Sequence, residues 1–269
     1  MLKNLAGLWR HRALAYVLVA REMKARYRGS VLGFFWSLLN PLLMLAVYAV
    51  VFAVIFQSRS PATSPYALFL FSGLLPWNWL SSSLTDAASS LTTHGALLRK
   101  ILFPAEVLPL VAVFAQGLHF VFALPILLAG LILGSLGVFG PRIPLGWPLV
   151  QAVPLLVLEG VFVAGIGLLL AALTVHFRDV KDLLATALSL WFFATPVLYT
   201  LADIKQERVR ALLRCNPAAP LFDAWRDALF YCRWIDASRW GVLLALASVS
   251  FLLGYAFFDR LRDSYPEAV

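Results

Sequence analysis

Long runs of apolar residues, separated by short polar segments, make up most of this chain. The runs lie at about 31–56, 66–84, 107–134, 149–175, 183–201 and 241–258. A helix needs about 20 mainly apolar residues to cross the hydrocarbon core of a bilayer, and each run has about that length. The pattern therefore predicts an all-α integral membrane protein with six transmembrane helices, folded as a single domain over residues 1–269.

The segment before the first run, residues 1–30, predicts an amphipathic helix that lies at the membrane interface. Its apolar and aromatic residues recur at helical spacing and share one face, as Tyr16 and Met23 do. Arg21, Lys24 and Arg28 form a basic stripe about a third of a turn away. Such a stripe would face lipid phosphates or another anionic ligand, or it would act only as a positive-inside anchor.

Composition supports the membrane class. Hydrophobic residues make up 61% of the chain and charged residues 13%, with a mean hydropathy of +0.83. A soluble domain has about 25% charged residues, so no separate soluble domain is expected. The net charge of +8 is better explained by anionic lipid than by nucleic acid, because no basic cluster is arranged to contact a duplex.

The loops differ in character, and their charge sets the predicted orientation. The side that holds the N-terminal segment is the more basic one, so the N- and C-termini are both expected in the cytoplasm. The connection over residues 85–106 starts polar and ends in apolar and basic residues. Its predicted contact residues are Leu97, Leu98, Arg99, Lys100 and Phe103. Apolar anchors rimmed by charge indicate a docking surface for a cytoplasmic partner, and a helix lying on lipid is the alternative.

Residues 202–240 contain no uncharged run long enough to cross the membrane, although they hold many large apolar side chains. Leu221, Trp225 and Leu229 keep helical spacing after a break rich in proline. We expect two short amphipathic, re-entrant helices that dip into the outer leaflet before the last span and form an external gate. Two helices lying on the surface without a gating role are the alternative.

Four motifs follow one another along the chain. They are Arg21-Glu22-Met23-Lys24 with residues 26–33 and Trp36; Leu98 to Pro109; Phe177-Arg178-Asp179-Val180 with Thr195-Pro196-Val197-Leu198-Tyr199; and Asn216-Pro217 with Trp225-Arg226-Asp227. Together they resemble the membrane subunit of ABC transporters that export polysaccharides, the family of Wzm, KpsM and TagG permeases. The resemblance covers nearly the whole chain.

The resemblance implies a half-transporter in the bacterial inner membrane that pairs with a second copy of itself and with two copies of a cytoplasmic ABC ATPase. This chain has no Gly-x-x-x-x-Gly-Lys-Ser/Thr loop. ATP and Mg²⁺ are therefore expected on the partner, with no cofactor here, and the chain is expected to be a permease rather than an enzyme. Segment 85–106 would be the coupling helix on the ATPase, 1–30 the interface helix, and 202–240 the external gate.

The implied cargo is an undecaprenyl-pyrophosphate-linked glycan, with O-antigen as the first expectation. Capsule and teichoic acid are alternatives, as is a drug or small-lipid exporter of the same architecture. Arg21, Lys24, Arg26 and Arg28 would bind the pyrophosphate through charge-assisted contacts. The candidate aromatics for the glycan path are Tyr48, Phe52, Phe56, Trp191, Phe193 and Tyr199. For any one of these rings, packing against lipid is the alternative.

Glu159 is an acid well inside a predicted span. Intramembrane carboxylates usually face a partner or a water path, and Gln116 and His119 are the candidate partners, with a structural or a transport role left open. Cys215 and Cys232 both lie in the external segment, where a disulfide is an open alternative.

A membrane enzyme acting on polyprenyl lipids is the rival from another class. It would need a general base or an acid cluster that binds a metal at a membrane face. The histidines do not group with paired acids in any loop, and Asp179 with Asp182 would make a weak metal site. No metal site is therefore expected.

Overall fold

The computed structural model describes residues 12–27, 29–30, 32–51, 63–95, 104–262 and 265. Its helices are α1 Arg12–Tyr27, α2 Trp36–Val50, α3 Tyr66–Thr93, α4 Val107–Ser135, α5 Ala152–His176, α6 Val180–Ala194, α7 Glu207–Arg214, α8 Ala219–Leu229 and α9 Ala237–Arg260. Short 3₁₀ turns lead into α2 and α5 and follow α6. No strand occurs within these ranges, so the all-α class is confirmed for them.

The long helices run back and forth between two ends of a bundle. At one end, α1 packs through Leu18 in an apolar cluster with Leu91 of α3 and Leu108 of α4. The same end holds the C-terminus of α9, because Arg262 contacts Glu106 just before α4. We call this the α1 end. The opposite end carries α7 and α8, and we call it the α8 end.

The core lies around α3, which is buried along most of its length between α4 and α5. Polar groups in its last turns bond within the helix: the hydroxyls of Thr85 and Thr92 donate to the carbonyls of Ser81 and Ser89, both at 2.9 Å. These bonds satisfy the side chains without ending the helix. The helix therefore continues to Thr93, past the expected span end at 84.

On the far side of the core, α9 packs against α5 at an unusually close crossing. Gly165 of α5 and Gly254 of α9 face each other, and a Cβ atom on either would overlap the backbone of the opposite helix. Ser250 lies one turn away and donates its hydroxyl to the carbonyl of Phe162, at 2.8 Å. Small residues at a crossing allow helix backbones to approach closely, as in membrane helix pairs.

Among the described residues, three helical stretches are long and apolar enough to cross a membrane: Val107–Ser135, Trp147–His176 and Ala237–Arg260. They confirm the predicted spans at 107–134, 149–175 and 241–258 to within a few residues, and they make this a multi-pass membrane protein. The first predicted span, 31–56, is represented by the shorter apolar α2. Its far end lies in residues 52–62, outside the described residues.

The fifth predicted span, 183–201, begins three residues too late and ends seven residues too late. The helix that forms there, α6, begins at Val180 and ends at Ala194. Pro196 explains the early end, because the residue before a proline is disfavoured in the α conformation. At about 1.5 Å per residue, the 15 residues of α6 extend only about 22 Å. Its side chains are mostly exposed, with Leu184 and Leu188 buried.

The predicted external segment forms α7 and α8, as two short helices. Residues of α8 are mostly buried in the core, whereas α7 has no buried residue. The two helices therefore differ, because α8 packs into the bundle and α7 lies on its surface. Their role as re-entrant helices that form an external gate stays a prediction.

Candidate functional site

The third and fourth sequence motifs meet at the α8 end of the bundle. Arg226 on α8 donates through Nη1 to the carbonyl oxygen of Tyr199, at 2.8 Å, and through Nη2 to that of Val197. Its guanidinium lies over the ring of Phe69, 4.1 Å from the centroid. Arg226 is 2% exposed, so its buried charge depends on these two carbonyl groups and the aromatic ring.

The backbone that Arg226 binds has left the helix. Residues 195–199 follow α6 without forming a helical turn of their own, so their carbonyl groups need other donors. Tyr66 supplies one of these, because its hydroxyl donates to the carbonyl of Leu198. The carbonyls of Val197, Leu198 and Tyr199 thus each accept a hydrogen bond from a side chain of α3 or α8. Irregular backbone inside an apolar bundle is stable only when protein groups satisfy it in this way.

Asn216 joins the end of α6 to the start of α8. Its Nδ2 donates to the carbonyl of Ala194 at 3.0 Å and to the hydroxyl oxygen of Thr195 at 2.9 Å. Its Oδ1 accepts from Nε1 of Trp191 at 2.8 Å and from the backbone N–H of Ala218 at 3.0 Å. The amide of this single residue therefore connects the end of α6 to the start of α8.

Glu159 lies fully buried on α5 and accepts a hydrogen bond at Oε2 from Nε1 of Trp225, at 2.7 Å. Its Oε1 has no partner among the described residues. The prediction that Gln116 or His119 is the partner of Glu159 is wrong. Both residues lie on the face of α4 that meets α2 and α3, and Gln116 donates to Asp86 there. The side chains Glu159, Trp191, Asn216, Trp225 and Arg226 form what we call the α8 cluster.

A cavity of about 450 Å³ lies between α2, α3 and α4 and reaches Ser30, in the connection that precedes α2. We call it the α2–α4 cavity. The polar side chains that its three helices contribute are Ser37, Asn40, Asn78, Ser82, Gln116 and His119. The first motif contributes Ser30 and Trp36 to its lining, but the motifs do not predict a cavity here. A sequence signal for it is present in α4, where Gln116 and His119 stand three positions apart inside an otherwise apolar stretch, Val107 to Gly134.

The predicted pyrophosphate site is Arg21, Lys24, Arg26 and Arg28. Arg21 and Lys24 are exposed on α1, whereas the side chain of Arg26 and the whole of Arg28 lie outside the described residues. Arg21 borders a small cavity of about 100 Å³ that Asp86 of α3 and His94, the residue after α3, also line. The two described cations are therefore accessible at the α1 end, and their binding role stays a prediction.

The predicted glycan-path aromatics are Tyr48, Phe52, Phe56, Trp191, Phe193 and Tyr199. Tyr48 packs half-buried against the core, and Trp191 belongs to the α8 cluster. Phe193 is 65% exposed, and the hydroxyl of Tyr199 donates to its carbonyl at 2.8 Å. Phe52 and Phe56 lie outside the described residues. The aromatic belt stays a prediction.

The predicted coupling residues, Leu97, Leu98, Arg99, Lys100 and Phe103, all lie outside the described residues. Glu106, three residues after Phe103, is described. Glu106 is 2% exposed, and both of its carboxylate oxygens accept from Nη2 of Arg262 at 2.8 Å. The end of α9 is thus tied to the end of segment 85–106 by a charge-assisted contact.

Two open alternatives concern cysteines and metals. Cys215 and Cys232 are both free thiols, so the disulfide does not form in this structure. Within the described ranges, no group of three or more His, Cys, Asp or Glu is placed to hold a metal ion.

The chain matches the family described as ABC-2 type transporter over residues 13–230. It is similar to the O-antigen export system permease protein RfbA of Myxococcus xanthus, with 37% identity over 273 residues, which covers 100% of both chains. Two RfbA permease proteins of Klebsiella pneumoniae are 31% and 30% identical, each over 94% of both chains. These matches confirm the resemblance carried by the four motifs: the chain belongs to the ABC-2 type transporter family of membrane permeases.

Proposed function

We propose that this chain is the transmembrane subunit of an ABC transporter that exports lipid-linked O-antigen across the bacterial inner membrane. The observation that carries the proposal is the match along the full length of relatives named O-antigen export system permease. A shared domain alone would support only membrane transport. The matches instead cover 94–100% of relatives whose printed name includes the exported cargo, which supports the proposal for the whole chain.

The working unit in this proposal is two copies of the chain with two copies of a separate ATPase that binds ATP and Mg²⁺. The α1 end is cytoplasmic, as are both termini. Its exposed cations include Arg21 and Lys24 on α1. The α8 end then faces outward, where α8 closes the bundle. ATP binding in the partner acts on segment 85–106, whose far border is held by Glu106 and Arg262.

Cargo enters at the α1 end, where the pyrophosphate meets the basic stripe of α1. Arg21 and Lys24 are exposed and therefore available to a charged headgroup at the leaflet surface. Charge-assisted bonds to phosphate oxygens are about twice as strong as neutral ones, so this contact would position the lipid before the glycan follows.

A gene deletion complemented with plasmid copies tests the proposal. The test variant carries Arg21→Ala, Lys24→Ala and Arg28→Ala, and the matched control carries Lys205→Ala, Arg208→Ala and Arg214→Ala, three exposed cations at the α8 end. We expect the deletion to abolish surface O-antigen and to accumulate lipid-linked glycan on the inner side of the membrane. The test variant should behave like the deletion and the control like the wild type.

Normal surface glycan in the deletion strain would overturn the export function. Export by the test variant at the wild-type level, with expression verified, would overturn the role of the basic stripe and leave the function intact.

A further inference from the structure

The α2–α4 cavity collects polar side chains from three helices. On α3, Asn78 and Ser82 lie one turn apart, and on α4 Gln116 and His119 share one face. On α2, Asn40 follows Ser37 on the side that faces the cavity. Polar groups in membrane helices are costly unless they face protein or a polar ligand, so their convergence from three helices indicates a binding site.

Several of these groups have no hydrogen bond to the part of the chain that the structure describes. They are the side-chain amides of Asn40 and Asn78 and the hydroxyl of Ser82. Gln116, in contrast, donates to Asp86 across the end of the cavity and is held in place. The site thus combines side chains that can still bond to a ligand with one, Gln116, that is held by another residue. The side chains that can still bond line the cavity.

The aromatic lining fits the same kind of ligand. Trp79 and Phe120 stack on each other with ring centroids 5.2 Å apart, and Nε1 of Trp79 donates to the carbonyl of Val113 at 3.2 Å. These rings form a rigid wall, and Trp36 stands half-exposed at the mouth. Among the lining residues that the structure describes there is no Lys, Arg, Asp or Glu. Uncharged amides and hydroxyls beside aromatic rings suit a neutral polyhydroxy ring and not a phosphate.

We infer that the α2–α4 cavity binds a sugar unit of the glycan that the transporter carries. The cavity volume of about 450 Å³ falls in the usual range for small-molecule sites and holds a hexose. The cavity extends from Ser30, in the connection that follows α1, to Ala123 in the middle of α4. A sugar bound there would follow the pyrophosphate into the bundle. The source of this sugar rests on the proposed function, but the binding site itself does not.

The test is protection of an introduced cysteine by sugar. The full-length chain, with Cys215→Ser and Cys232→Ser, carries Ser82→Cys and is placed in lipid nanodiscs. Labelling by a water-soluble maleimide is timed with and without methyl glycosides of glucose, galactose, mannose and N-acetylglucosamine. At about tenfold the Kd, a glycoside that binds should slow labelling about tenfold, because protection follows the occupied fraction.

Controls separate binding from unfolding and from other ligands. Ser83→Cys, on the same helix but buried in the core, should not be labelled in folded protein. Asn40→Cys on α2 is a second reporter in case Ser82→Cys does not fold. Adding Asn78→Leu should weaken protection about tenfold, as loss of one hydrogen bond to a ligand does, whereas adding Ser81→Ala should not.

Three outcomes would overturn the inference: cysteines at 82 and 40 that are not labelled, labelling that no glycoside slows, or protection only by inorganic pyrophosphate or glycerophosphoethanolamine. The assay uses no export step. A deletion strain with normal surface glycan would therefore reject the proposed function while sugar protection still stood, and failed protection would leave the export result untouched.

Discussion

The α8 cluster and the α2–α4 cavity are both polar sites inside an apolar helix bundle, and they differ in where their hydrogen bonds go. In the α8 cluster, Arg226 and Asn216 bond to backbone left open by the end of α6. In the cavity, Asn40 and Asn78 point into space and bond to none of the described residues. Polar side chains therefore stabilise the fold at the α8 cluster, whereas in the cavity they can still bond to a ligand.

The comparison shows how to separate structural from binding residues in a membrane bundle. A polar side chain with its bonds made inside the protein costs stability when it is removed. One whose bonds await a ligand costs little stability and a large part of the affinity. Replacing matched residues at the two sites tests this distinction.

Arg226→Met should have the largest effect. It removes both donors to the carbonyls of Val197 and Tyr199, and unsatisfied buried carbonyls cost about 1–3 kcal/mol each. We expect the free energy of unfolding in bicelles, followed by tryptophan fluorescence, to fall by about 2–4 kcal/mol. Arg226→Lys should lose less, because the charge stays while the planar fork is lost. Unchanged unfolding of Arg226→Met would show that the α8 cluster is not structural.

A smaller effect is expected at the hydrogen bond from Trp225 to Glu159. Trp225→Phe keeps an aromatic ring but leaves a buried carboxyl without its donor, which should cost about 1–2 kcal/mol. Glu159→Leu alone should also destabilise, by leaving the indole N–H unpaired.

The double variant, with Trp225→Phe and Glu159→Leu together, sharpens this result. Replacing both partners of a buried hydrogen bond by apolar groups is close to neutral. We therefore expect the double variant to be no less stable than either single variant, measured by the same unfolding curves. Additive losses in this double-mutant cycle would mean that the two side chains do not stabilise each other.

The smallest effect on stability is expected for Asn78→Leu in the cavity. Because the amide makes no bond to the described residues, its loss should change the free energy of unfolding by less than about 0.5 kcal/mol. The same substitution at Asn216 removes bonds to Ala194, Thr195 and Trp191 and should cost several times more. If both substitutions lowered the free energy of unfolding equally, the distinction between structural and binding residues would not hold for these two sites.

Sequence patterns were sufficient for the parts of this fold that depend on a single helix. The spans of α4, α5 and α9 follow from long, mainly apolar runs, whose length and composition together are sufficient to cross a bilayer. The ends of α3 and α6 were misplaced for local reasons. Hydroxyl groups near Thr92 bond within the helix and extend α3, and Pro196 shortens α6 although the residues after it are still apolar.

Contacts between distant segments could not be obtained in the same way. Arg226 and Val197 lie in different motifs, and hydropathy does not indicate that a cation binds the backbone of another segment. The position of Glu159 inside a span marks it as unusual, but its partner, Trp225, lies on α8 and is distant in sequence. Which residue of α8 meets Glu159 depends on how that helix packs, and Asn216 bonds at its start. The spacing of Gln116 and His119 predicts that they share one face of α4. It does not predict which helices pack against that face.

The close crossing of α5 and α9 limits how this permease can move. With Gly165 and Gly254 in backbone contact, a small rotation of either helix would bring a side chain into space that holds only backbone. The pair should therefore act as one rigid body throughout a transport cycle. The α5–α9 pair is thus a frame of reference against which displacements of the other helices can be measured.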